Sequence, residues 1–153
     1  MMNTIANASI GLILFSYCLV GTAVAAGSIK AKCPFNGYIH PIGVLAVQES
    51  LGDNSTSYRW KAVYRADPNH PKIKAELERV KSEYYGSGDA AVSVYDEQLK
   101  SAGAKSKGRT LGVVSYEIKD RQGRKWSVVA RGDRDFHSVE SGEFTVFIGT
   151  PGG

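Results

Sequence analysis

Val113-Val-Ser-Tyr-Glu-Ile-Lys-Asp-Arg-Gln-Gly-Arg-Lys-Trp-Ser-Val-Val-Ala-Arg131 carries the plainest pattern in the chain. Val114, Tyr116 and Ile118 alternate with polar neighbours, and Trp126, Val128 and Ala130 alternate on the return. Period-two alternation is the mark of a strand with one buried face, and Asp120-Arg-Gln-Gly123 supplies the turn between two such strands. Downstream, a loop from Gly132 to Gly142 leads to a third strand with Phe144, Val146 and Ile148 facing one way. A three-stranded antiparallel meander is therefore predicted for the C-terminal part of the chain.

Working outward, Ala104 to Thr110 reads as a Lys- and Gly-rich connector. Before it, Ile73, Leu77, Val80 and Tyr84 recur at helical spacing, with Pro71 in the first turn and Gly86 as the stop. Asp89 is placed to cap a second, shorter helix bearing Val92, Tyr95, Leu99 and Ala102 on one side, with Gly103 beyond its end. Tyr58 to Arg65 alternates strictly: Tyr58, Trp60, Ala62 and Tyr64 point one way, and Arg59, Lys61, Val63 and Arg65 the other. Ile42 to Val47 and Ser28 to Cys33 read as two short strands, with Pro34, Asn36-Gly37 and Pro41 between them. Strands, then helices, then a meander imply an α+β fold: an antiparallel sheet with one or two helices packed on one face.

At 153 residues the chain suffices for one domain, and Lys+Arg 19 against Asp+Glu 15 makes it mildly basic, at +4. Residues Met1 to Ala26 hold no charged side chain; an apolar run from Ile10 to Val20 ends in small residues, with Ala23-Val-Ala25 as a cleavage pattern. We read residues 1–26 as a signal peptide and 27–153 as a single α+β domain that is secreted. No second apolar stretch is long enough to span a bilayer, so no membrane association is expected once the leader is cut. Cys18 leaves with the leader, so Cys33 is expected to be alone and no internal disulfide can form. Asn54-Ser-Thr56 is a glycosylation sequon in a polar loop.

Phosphate-loop, dinucleotide and zinc motifs are absent from the sequence, and no cofactor or metal is expected. One set of residue types suits RNA cleavage, which needs a base, an acid and a cation at the developing phosphorane: His40, His137, Glu143 and Arg131, with Glu140 nearby. Tyr38-Ile-His40 early and His137 late resemble the arrangement in small microbial ribonucleases and the ribonuclease-like effectors of fungal pathogens. That resemblance implies RNA binding or cleavage on an antiparallel sheet beside a helix. The disulfides of those folds are missing here. Ala62-Val-Tyr-Arg-Ala-Asp67 resembles a segment of heat-labile-enterotoxin-type ADP-ribosyltransferases, which would set Arg65 against NAD. Those enzymes need a Glu-x-Glu pair, whereas Glu140 and Glu143 are spaced Glu-x-x-Glu. Arg131-Gly-Asp133 spells an integrin-recognition triplet, to which the sequence alone assigns no role.

For binding, the candidate residues are Tyr58, Arg59, Trp60, Lys61, Tyr64 and Arg65, since Tyr, Trp and Arg are enriched at protein interfaces. Further cations cluster at Lys100 to Arg109 and at Lys119 to Lys125, and would suit nucleic acid if the sheet gathered them. In size, leader and composition the chain resembles the small secreted effectors of plant-pathogenic fungi. That resemblance implies a protein delivered into host cells that binds a host protein to modulate defence without catalysis, with nucleic acid as the alternative partner.

Overall fold

The computed structural model describes residues 32–52, 58–133 and 142–150. In chain order the elements are β1 (Val44–Ser50), β2 (Tyr58–Arg65), α1 (Pro71–Val80), α2 (Ser87–Ser101), β3 (Lys105–Thr110), β4 (Val113–Lys119), β5 (Lys125–Gly132) and β6 (Glu143–Gly149). The strands form one antiparallel sheet in the order β1-β2-β6-β5-β4-β3. The fold is α+β, as the element order implied. Because β2 and β3 lie far apart in the sheet, the chain between them must cross it. The two helices make that crossing: α2 packs on β4, β5 and β6, and α1 packs on α2.

The hairpin from Val113 to Arg131 has the predicted register, with Val114 opposite Ala130, Tyr116 opposite Val128 and Ile118 opposite Trp126. Gly123 sits at φ +80°, a conformation that costs glycine nothing. Val114, Tyr116 and Ile118, with Trp126, Val128 and Ala130 and with Phe144, Val146 and Ile148, form a buried face under α2. Trp60, Ala62 and Tyr64 of β2 continue it. The segment before β1 closes this face at its side. There the Phe35 ring meets Trp126 edge-on at 6.2 Å and Tyr38 meets Trp60 at 5.3 Å. Tyr38 and Tyr64 share a hydrogen bond between their hydroxyls at 2.9 Å, and Tyr95 Oη donates to the Ile39 carbonyl at 2.8 Å. Burial pushes the Tyr64 phenol up to about 12, and those of Tyr38 and Tyr95 well above the usual tyrosine range.

Four expectations need correction. Lys105 to Thr110 is an edge strand rather than a connector; all six residues are exposed, so it has no buried face to impose alternation, and Gly112 at φ +72° turns it into β4. α1 stops at Val80 rather than at Gly86, because Lys81 adopts the left-handed conformation (φ 49°) and donates its N–H to the Leu77 carbonyl. Tyr84 is consequently exposed, while Tyr85 turns inward to hydrogen-bond Glu76 and Ser93. α2 begins before Asp89, whose carboxylate caps from inside the first turn by accepting from the Gly86 N–H. Finally, no strand forms at Lys32 and Cys33; the rest of the strand predicted there, the leader and Asn54 lie outside the described residues.

Two carboxylates anchor the architecture. Asp96 on α2 is buried and accepts hydrogen bonds from Tyr116 Oη of β4 and from Lys100 Nζ at 2.7 Å. Arg109 of β3 reaches the same carboxylate at 3.1 Å. Burial opposes its charge, but Lys100, Tyr116 and Arg109 together hold it below the usual carboxylate range. Asp120 accepts from the backbone N–H groups of Gln122 and Arg124, from Arg124 Nε at 2.7 Å and from Trp126 Nε1 at 2.9 Å. Burial raises its pKa, yet these donors outweigh it and bring the carboxyl down to about 2.

Replacing Asp96 by Ala is expected to lower the unfolding free energy by about 2–3 kcal/mol, the scale of lost hydrogen bonds to a charged group. Glu97→Ala, which removes only a surface pair with Lys100, is expected to cost under about 0.5 kcal/mol. Urea denaturation of the two variants distinguishes them. Asp120 has a folded pKa below its ordinary 3.8, so its contribution is complete above that value and is lost as pH falls towards about 2. The stability gap between the native chain and Asp120→Asn, followed by urea titration, should shrink over that window and stay constant above it.

Candidate functional site

Since α2 and the segment before β1 cover one side of the sheet, the residues out of phase with the core face the other way. No described helix or strand lies over that side. Its centre is Phe147 of β6, half-buried between Tyr58, whose ring is 5.1 Å away, and the Arg131 guanidinium, which lies 5.2 Å above the ring. Val129 on β5 and Lys61 on β2 stand opposite it, while Val63, paired with the buried Thr145, lies diagonally across and carries the apolar surface on to Val47 at the sheet edge. Around this strip the charges come in pairs. Lys61 Nζ is 3.0 Å from Glu49, Arg65 is 3.2 Å from Glu143, and Lys107 is 3.2 Å from Glu117. The Thr145 hydroxyl donates to Asp133 at 2.8 Å. Among the described residues no carboxylate pairs with Arg131.

The binding residues expected on β2 divide between two environments. Trp60 and Tyr64 are each 1% exposed and belong to the core, so they offer nothing to a partner. Arg59, Lys61 and Arg65 are outside it. Tyr58 corrects the strict alternation: the register shifts between Tyr58 and Trp60, so Arg59 is an extra residue and Tyr58 moves to the open face, opposite Gly149. Sequence reasoning missed Phe147 as a site residue. Its signal was present, an aromatic side chain out of phase with Phe144, Val146 and Ile148.

The ribonuclease-type set is not brought together among its described members. His40 lies on the helix side, with Nδ1 3.4 Å from Tyr64 Oη and its ring edge-on to Tyr38 at 4.8 Å. Glu143 and Arg131 are on the open face, with the sheet between them and His40. His137 and Glu140 lie outside the described residues. Arg65, the residue aligned with an NAD-binding arginine, is exposed and paired with Glu143. A groove of about 700 Å³ between residue Ile39 and α2 is lined by Lys72, Glu97, Gln98 and Ser101 among others, and by no His or Cys. Among the described residues no group of three or more His, Cys, Asp or Glu could hold a metal ion, and no helix is long and apolar enough to cross a membrane.

Arg131 and Gly132 are the last residues of β5, and Asp133 directly follows it, so the triplet is not displayed at a loop tip. Gly132 pairs with Phe144, and Asp133 donates its N–H to the Glu143 carbonyl while its carboxylate holds Thr145. A Cβ at Gly132 would collide with the Asp89 side chain and stand 3.0 Å from its backbone nitrogen. The glycine thus serves the close approach of β5 to the start of α2. Comparison with family models, with curated proteins and with solved structures finds no match for this chain.

Gly132→Ala is expected to destabilise the fold by about 1–3 kcal/mol through overpacking. Arg131→Ala, at an exposed position, should leave stability within about 0.5 kcal/mol. Thermal unfolding followed by circular dichroism tests both.

Proposed function

We propose that this is a secreted, effector-type binding protein that engages a host protein through the open face of its sheet. One observation carries the reading: an aromatic and apolar strip around Phe147, crossed by Arg131, lies on the side of the sheet that no described helix covers. Aromatic and Arg side chains at the middle of an apolar patch with a polar rim are the anatomy of protein interfaces. Export rests on the uncharged leader read from Met1 to Ala26.

The charge pattern favours protein over nucleic acid. RNA binding draws on a surplus of cations over phosphates, and a strand of phosphates laid on this face would meet Glu49, Glu117, Glu143 and Asp133. A protein partner carrying its own mixed charges meets no such cost. Catalysis is not part of the reading, since the described members of the acid–base set read from the sequence sit on opposite sides of the sheet.

Arg131→Glu and Phe147→Ser are the informative variants. With a partner captured from host extract and then purified, each is expected to weaken binding by about 2 kcal/mol, roughly thirtyfold, the size of an interface hot spot. Heparin retention and RNA cleavage serve as the competing readouts. Partner binding that survives both substitutions, or RNA degradation abolished by His40→Ala, would overturn the proposal.

A further inference from the structure

The two edges of the sheet are opposite in chemistry. β3, at one edge, carries Lys105, Lys107 and Arg109 on an exposed strand. Charged side chains of this kind, lysine above all, blunt an edge against pairing with another chain. β1, at the other edge, has no lysine, arginine or proline. Instead Val44 is 71%, Leu45 39% and Val47 44% exposed. The register shift between Leu45 and Val47 sends Val44 and Val47 to the open face and leaves Leu45 on the helix side. Apolar surface is therefore offered on both sides of one edge strand. Its single charge, Glu49, is already matched by Lys61 at 3.0 Å, so a neighbour meets no uncompensated charge there.

From this contrast we infer that β1 is a dimerisation edge, pairing antiparallel with β1 of a second copy of this chain. The backbone groups on the outer side of β1 need strand partners, and the exposed valines and leucine need an apolar, uncharged neighbour. Among the described strands, the one with a free edge of that chemistry is β1 itself. β3 of another copy would set lysines and an arginine against Val44 and Val47. It would also build an open, head-to-tail chain, whereas β1 against β1 closes on a two-fold axis. The pairing joins the sheets of the two copies and links their apolar strips through Val63. Phe147 lies two strands further in and Arg131 three, and both stay free, so the inference goes beyond the partner-binding reading and does not rest on it.

Sedimentation velocity of the purified protein over a hundredfold concentration range tests the inference, paired with hydrogen–deuterium exchange at both ends of the range. The expected result is a concentration-dependent dimer in which the amides of β1 gain protection and those of β3 do not. Val44→Lys and Val47→Lys should each weaken dimerisation at least tenfold. Val44 is the more exposed of the two, so its variant keeps the test valid if Val47→Lys fails to fold, which near-ultraviolet circular dichroism reports. Lys107→Glu at the other edge should leave the dimer unchanged. A monomer throughout the range, a dimer indifferent to the β1 lysines, or a dimer whose β1 amides exchange as in the monomer would each overturn it.

Discussion

The crossing from β2 to β3 governs this architecture. β2 lies beside β1 and β6, while β3 is the far edge, so the chain must carry α1 and α2 over the sheet to reach it. A single crossing of that kind deposits both helices together, and α2 then shields the inner side chains of β4, β5 and β6. Among the described residues, nothing returns a helix to the opposite side. What faces outward there is decided strand by strand, by whichever residues fall out of phase with the core.

Carboxylates rather than covalent links join the layers. Asp96 ties α2 to β3 and β4 at once, since Arg109, Tyr116 and Lys100 all reach one buried group. Asp120 organises the turn of the central hairpin by collecting four donors from within it and from Trp126. Both sites satisfy their partners fully, which is the condition under which a buried charge helps specify a fold. Asp89 adds the start of α2, where the absence of a side chain at Gly132 lets β5 approach.

Much of this was legible in the sequence because burial of one face writes itself as alternation. The hairpin at Val113 to Arg131 and the strand at Glu143 to Gly149 were readable for that reason. β3 was not, because an edge strand solvated on both sides leaves no apolar imprint. The end of α1 was hidden too: Tyr84 and Tyr85 continue the helical stripe in sequence, but Glu76 and Ser93 draw Tyr85 elsewhere. At the candidate site, Lys61 and Arg65 were visible as outward-facing cations, while their neutralisation by Glu49 and Glu143 required the strand pairing. The place of Tyr58 depended on one inserted residue, Arg59, which no period reveals.

The phenol cluster at Tyr38, Tyr64 and Tyr95 has a bearing on where such a protein can operate. It seals the side of the core by side-chain hydrogen bonds that no electron transfer breaks. Cys33, the one cysteine among the described residues, is unpaired there, and burial lifts its thiol to about 11, so it stays in the unreactive protonated form at neutral pH. Passage from an oxidising exterior to a glutathione-rich cytosol would therefore leave the described domain chemically and conformationally indifferent.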